Sequence, residues 1–385
     1  STRASRTSPR ATTNTAADAP PANGPASVKP LIRAIVDTSA LRHNLDRVRA
    51  TAPAARVMAV IKANAYGHGL VPAAKALAQT DGFAVARLDE GLALRAAGLA
   101  NRILLLEGVF SPAQLAMAAQ QRFDLMVHSF EQLEMLEARD SAEKVSAWIK
   151  VDTGMNRLGF RVEQFAEAYA RLTRIAGVAP DPTLVTHLAN ADDRRDSMTA
   201  QQLEAFAGAT GGLGGSRSIA NSAAVLARPE THADWVRPGL MLYGVSPFPS
   251  GTAAAIGLRP VMTLQSEVIA VKDVRAGESV GYGGAWRASR DTRLAVVAGG
   301  YGDGYPRSVE SGTPVLVNGH RAPLVGRVSM DMITVDVTDL PGVAAGDPVV
   351  LWGDGVPVEE IARHAGTIPY ELICGVSQRV QHEMK

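Results

Sequence analysis

Residues 57–69 read VMAVIKANAYGHG: five apolar residues, Val57 to Ile61, stop on Lys62 and pass at once into small residues, Tyr66 and two glycines. A strand with no polar face is covered on both sides, as the strands of parallel sheets are. A lysine is out of place at the end of such a strand if the strand is only core. In a parallel α/β fold, however, the C-terminal strand ends open onto the face where ligands bind, and a lysine there points at chemistry.

Working outward, similar apolar runs recur at spacings of about 20 to 40 residues, separated by helix-like segments, which is the rhythm of repeated βα units. The runs are AIVD, VMAVIK, GFAVAR, RILLLEG, FDLMVH, SAWIKVD, TLVTHLAN and SIANSAA. Eight such units predict a closed (β/α)8 TIM-type barrel. The alternative is an open doubly wound sheet, but the first strand is not followed by the G-x-G-x-x-G fingerprint of that class. Beyond Tyr243 the rhythm changes. VMTLQSEVIAVKDV, TRLAVVAGG, TPVLVNG and ITVDVTDL are β-rich and divided by Gly, Pro and Asp turns, with one evident helix at VEEIARHAG. The expected plan is a disordered tail over residues 1–30, a barrel over 31–250 and a mainly β C-terminal domain over 251–385, joined near SPFPSGTAAAIGL.

Composition narrows the function. A net charge of +1 gives no long-range pull on nucleic acid or anionic lipid, so neither is an expected partner. Cys374 is the single cysteine, which excludes an intrachain disulfide and makes the cytoplasm the expected compartment. No apolar stretch is long enough to span a membrane as a helix. Of the 39 basic residues only seven are lysine, yet Lys62 and Lys150 both close strand-like runs. A desolvated amine loses its proton more easily and can then act as a nucleophile or a base. Six of the seven tyrosines adjoin Gly or Pro, which puts them on loops more readily than in core.

The stretch around Lys62 resembles the cofactor-lysine motif of the alanine racemases. The likeness continues in family order through VDTGMNRLGF, THLANADD, IANSAA, WVRPGLMLYG, VGYGGAW, GYGDGYPR, GRVSMDM and IPYELICG, nearly everything after residue 30. It implies a pyridoxal 5′-phosphate enzyme of fold type III that interconverts L- and D-alanine, supplying D-alanine for peptidoglycan. By this resemblance Lys62 carries the cofactor covalently and is one of two catalytic bases, with Tyr282 as the other on the opposite face. Arg237 faces the pyridine nitrogen and His187 supports it. The phosphate falls to Tyr66, Asn221, Ser222, the backbone of Gly239 and Leu240, and Tyr370. Arg157 reaches the cofactor and the substrate carboxylate, and Lys150 matches a lysine that is often carbamylated. Met330 and Asp331 form the substrate-side loop, with Ser329 where relatives often have cysteine, and Tyr301 and Tyr370 narrow the entrance. The family also implies a homodimer in which Tyr282, Met330 and Tyr301 complete the partner's pocket. No metal is expected.

Read without the resemblance, several of these residues have plainer explanations. Asn221 and Ser222 can form a helix cap, Arg237 a structural salt bridge, and His187 a satisfied core contact. Three other functions stay open: a racemase of broader range, acting on serine or basic amino acids; a barrel decarboxylase, which needs an acid at the pyridine nitrogen and a catalytic cysteine; and a non-catalytic cofactor carrier.

Overall fold

The computed structural model describes residues 30–140 and 143–385. The disordered-tail expectation falls on residues 1–29, which lie outside the described residues. Leu31–Lys385 form one compact unit.

Eight parallel strands close a barrel. In spatial order they are Arg56–Val60, Gly82–Val85, Arg102–Leu105, Asp124–Val127, Ala147–Asp152, Thr183–Val185, Arg217–Ser218 and Trp235–Val236, the last pairing back onto the first. The Gly82–Val85 strand is buried at every position, and in Arg56–Val60 only Arg56 is exposed, as two-sided cover requires. Arg56 stacks its guanidinium 4.2 Å from the centre of the Trp235 ring.

Seven of the eight predicted runs contribute barrel strands, and one does not. AIVD belongs to the strand Arg33–Val36, which pairs antiparallel with Met262–Val274 and parallel with Gln381–Met384 in the C-terminal sheet. Its alternating burial, with Ala34 and Val36 inside and Arg33 and Ile35 partly exposed, is that of a strand with one dry face. Its place in the barrel goes to Trp235–Val236, only two residues long and too short to show a period.

The rest of the C-terminal part is mainly β. Met262–Val274 is its long central strand, bridging Arg33–Val36, Pro348–Trp352 and Thr292–Ala298. Two helices interrupt it: Val358–Ala365, as the sequence predicts, and the shorter Pro369–Cys374, which the pattern does not reveal. The segment between barrel and sheet is pinned, since Glu359 Oε1 accepts from the N–H groups of Ser246 (2.9 Å) and Ala253 (3.0 Å). Among the described residues no helix is long and apolar enough to cross a membrane.

Candidate active site

The C-terminal ends of the barrel strands surround a pocket of about 980 Å³. Lys62, Lys150, Arg157, His187, Ser222 and Arg237 all line it, as do Tyr66, Asn221, Gly239, Leu240 and Tyr370.

Lys62 enters the pocket from an unusual piece of backbone. The short turn Lys62–Tyr66 winds left-handed, with φ/ψ of 53°/54° at Ala63, 54°/43° at Asn64 and 54°/51° at Ala65, and Tyr66 continues it at φ 52°. Left-handed helical geometry costs about 1–2 kcal/mol per non-glycine residue, so neighbouring contacts must hold it. His68 is fully buried and donates from Nδ1 to the carbonyls of Ala65 (3.0 Å) and Tyr66 (2.9 Å). Burial lowers its pKa to about 4, so it is neutral. Gly67 ends the turn at φ 81°, where an added Cβ would meet the Ile373 carbonyl oxygen at 2.0 Å. That contact lets the Pro369–Cys374 helix, with Tyr370, close over the site.

Arg237 follows the last barrel strand and is buried. It donates to Ser218 Oγ (2.6 Å), to the Thr186 carbonyl (2.7 Å) and, more weakly, to the Ile219 carbonyl (3.3 Å). Among the described residues it makes no ion pair, so the salt-bridge explanation does not hold. Desolvation lowers its pKa to about 10, which leaves it charged at neutral pH. Lys150 is also buried; burial first, then the Arg237 and Arg157 charges, bring it down to about 8. His187 is held well below its ordinary value by burial and by Arg237, Lys150, Arg157 and Lys62 in turn. Basic groups therefore converge on one pocket with little carboxylate to balance them, an arrangement suited to an anionic ligand.

Hydroxyl groups line the neighbouring wall. Ser222 Oγ accepts from the N–H groups of Gly239 (2.9 Å) and Met241 (3.3 Å), leaving its own proton free to donate. Tyr66 lies so close to Gly239 that a Cβ there would sit 2.5 Å from its hydroxyl oxygen. Tyr66 stacks on Tyr243 at 4.7 Å and approaches Tyr370 at 6.1 Å. Burial raises the pKa of both Tyr66 and Tyr370, keeping them protonated as donors. Asn221 does serve as a helix cap: its side chain accepts from the Ala224 N–H (3.1 Å) while also lining the pocket.

Tyr282, Tyr301, Met330 and Asp331 do not line this pocket. Tyr282 is 69% exposed, Met330 52% and Tyr301 42%. The Tyr301 and Met330 loops are tied together, with Tyr301 N–H donating to the Ser329 carbonyl (3.1 Å) and Gly302 N–H to the Met330 carbonyl (2.8 Å). Arg379 braces them from the side, 2.7 Å from Asp331 and 3.4 Å from Asp303.

The family model for the alanine racemase N-terminal domain matches residues 36–247, and that for the C-terminal domain matches residues 261–384. The chain belongs to the alanine racemase family. It is 54% identical to the alanine racemase of Nitrosococcus oceani over 92% of this chain and 99% of that protein. With the alanine racemase of Aeromonas hydrophila the identity is 51%, over 90% of this chain and 97% of the relative. The crystal structure of biosynthetic alanine racemase from Pseudomonas aeruginosa superposes with a TM-score of 0.90 at 47% identity, covering 93% of this chain and all of that one. That of the Bartonella henselae alanine racemase with covalently bound pyridoxal phosphate gives 0.84 at 31% identity, again over 93% of this chain and 100% of the other.

Against this alanine racemase framework, two residues that support the pocket escape sequence reading. His68 lies inside the motif around Lys62 but has the look of a loop residue. Glu90 sits outside every quoted motif; its one signal is a glutamate at the third position of the helix Leu88–Ala96, a helix-start signature.

Proposed function

We propose that the protein is a pyridoxal 5′-phosphate-dependent alanine racemase, interconverting L- and D-alanine and supplying D-alanine for peptidoglycan. The observation that carries this reading is buried, charged Arg237 facing the pocket without an acid partner among the described residues. The donor set fits the cofactor: an amine at Lys62, hydroxyls at Tyr66, Ser222 and Tyr370 for a phosphate, a close backbone at Gly239, and cations around the ring.

In this reading Lys62 anchors the cofactor and Ser222, Tyr66 and Tyr370 donate to its phosphate. Bound there, pyridoxal phosphate supplies an electron sink that acidifies the α-proton of the amino acid. Arg237 donates a hydrogen bond to the ring nitrogen but keeps its proton, which limits how far that sink extends and suppresses transamination. Arg157 binds the substrate carboxylate. Lys150, with its pKa lowered by burial, can give up one proton to become a neutral amine and a second on taking up CO2 to form a carbamate, turning a crowding cation into an anion beside Arg157. The amine of Lys62 and the phenol of a Tyr282 brought in from the partner would act from opposite sides of the α-carbon, one removing the proton and the other returning it.

Because Tyr282, Tyr301 and Met330 lie on exposed loops away from the chain's own pocket, the working unit is a homodimer in which these loops complete the partner's site. The enzyme works in the cytoplasm. A barrel decarboxylase is disfavoured: Arg237 stands where an acid is needed, and burial pushes the Cys374 thiol up, away from a reactive thiolate.

The test is borohydride reduction of the holoenzyme followed by peptide mapping, alongside turnover of alanine, serine, lysine and arginine. A reduced adduct on Lys62 and preference for alanine are expected. An adduct elsewhere ends the reading, and comparable rates for lysine and arginine replace it with a broad-range racemase.

A further inference from the structure

The left-handed turn after Lys62 is held on its carbonyl side by His68. On its amide side, besides the backbone bonds from Ala65 N–H to the Ile61 carbonyl (2.9 Å) and from Gly67 N–H to the Ala63 carbonyl (3.0 Å), it is held by one carboxylate. Glu90 Oε1 accepts from the Ala63 N–H at 2.7 Å, while Oε2 accepts from the N–H groups of Ala86 (2.8 Å) and Arg87 (3.2 Å). A single half-buried side chain therefore ties the first peptide after Lys62 to the end of the next barrel strand, Gly82–Val85, and to the start of the helix Leu88–Ala96.

We propose that Glu90 is a positioning residue that keeps the Ala63–Gly67 turn left-handed and thereby aims Lys62 and Tyr66 into the pocket. The chemistry of the contact is specific. Three N–H donors converge on two oxygens, and a carboxylate offers acceptors alone. Glutamine at this position turns its NH2 toward one of the two sets, setting donor against donor. Aspartate keeps the charge but is one methylene too short to span both sides. Released from Glu90, Ala63, Asn64 and Ala65 have no intrinsic reason to stay at positive φ and relax to the right-handed or extended regions. Lys62 and Tyr66 flank that stretch and lose their common orientation.

This inference rests on reading Lys62 as the cofactor-bearing lysine, and its test separates the two. The apoproteins of the wild type, Glu90→Gln, Glu90→Asp and Asp37→Ala are compared. Asp37 caps the helix Thr38–Thr51 through Ser39 and Ala40 and does not line the pocket, so its variant controls for general destabilisation. Amide hydrogen exchange over residues 63–67 is measured without cofactor. Covalent uptake of pyridoxal 5′-phosphate is then followed by absorbance and by borohydride trapping at Lys62.

Glu90→Gln is expected to speed exchange across the turn and to slow uptake, each about tenfold or more, with Glu90→Asp carrying the same expectation should the glutamine variant not fold. Asp37→Ala is expected to lower Tm while leaving both readouts unchanged. Wild-type exchange and uptake in the Glu90 variants overturn the proposal, as do equal effects in Asp37→Ala. If the wild type takes up no cofactor, the parent reading fails, and the exchange data alone still decide the part played by Glu90.

Discussion

Arg237 reaches His187 across 3.3 Å, Nη2 to Nδ1, and the guanidinium is the donor because it has no lone pair to offer. His187 is thereby fixed as a neutral imidazole with its proton on Nε2, in keeping with its strongly lowered pKa. The pair presents a permanent cation and a neutral ring side by side. Replacing Arg237 with Glu reverses the charge in a buried site next to Lys150. We expect racemisation of alanine to fall at least about a hundredfold, with pyruvate appearing as a transamination product. Unchanged racemisation with no pyruvate would show that Arg237 does not govern the course of the reaction.

The placement of Tyr282 away from the chain's own pocket gives a test by mixing subunits. Lys62→Ala and Tyr282→Phe are each expected to be nearly inactive alone, the second still binding cofactor. If the site is built across two chains, a hybrid dimer of the two has one site with both lesions and one with neither. Random reassembly makes half the dimers hybrid, so activity returns to about a quarter of wild type. Recovery of nothing means that Lys62 and Tyr282 act within one chain.

Gly239 answers a narrower question. A methyl group there would sit 2.5 Å from the Tyr66 hydroxyl oxygen, and Tyr66 is wedged against Tyr243 with little room to retreat. Gly239→Ala is expected to weaken retention of pyridoxal 5′-phosphate about tenfold or more in an equilibrium dialysis series, while Tm of the apoprotein stays within a few degrees of wild type. Equal affinity in the variant would mean that Tyr66 moves freely.

Lys150 gives a pH prediction. Its amine titrates near 8 in the folded chain and at its ordinary value of 10.5 when unfolded. Between those values the unfolded state binds more protons, so stability rises with pH from about 8 to 10.5; below 8 the cost of burying the charge is fully present, on the order of 3 kcal/mol. In bicarbonate-free buffer, urea unfolding of apoprotein should show the wild type gaining on Lys150→Met as pH is raised through this window. Parallel curves for the two proteins would contradict a strongly desolvated Lys150.

Much of this was legible in the chain because two-sided burial leaves a clear mark. Most of the barrel strands announce themselves as short apolar runs, although Arg217–Ser218 itself has none, and Lys62 and Lys150 stand out against that background. Arg33–Val36 and Trp235–Val236 were exchanged because a four-residue run carries too little period to reveal which sheet it joins, and a two-residue strand carries none. The left-handed turn left no trace either. Of Ala, Asn, Ala and Tyr only Asn has any leaning toward positive φ, so the geometry is imposed by contacts such as those with Glu90 and His68, which exist only once the chain has folded. Arg237 was readable from its motif, but its lack of an acid partner required the surrounding atoms.

The strand Arg33–Val36 also bears on how the molecule is made. Its neighbours in the sheet are residues 262–265 and 381–384, and the backbone of Lys385 exchanges hydrogen bonds with Val36 and Thr38, the last of these spanning 347 positions. During synthesis this strand is made well before either neighbour, so one of its edges stays open until residues 262–265 emerge and the other until residues 381–384 do. The nascent chain must therefore carry an unpaired β-edge while the whole barrel and most of the second sheet are made, and an open edge of that kind is a template for mispairing until it closes.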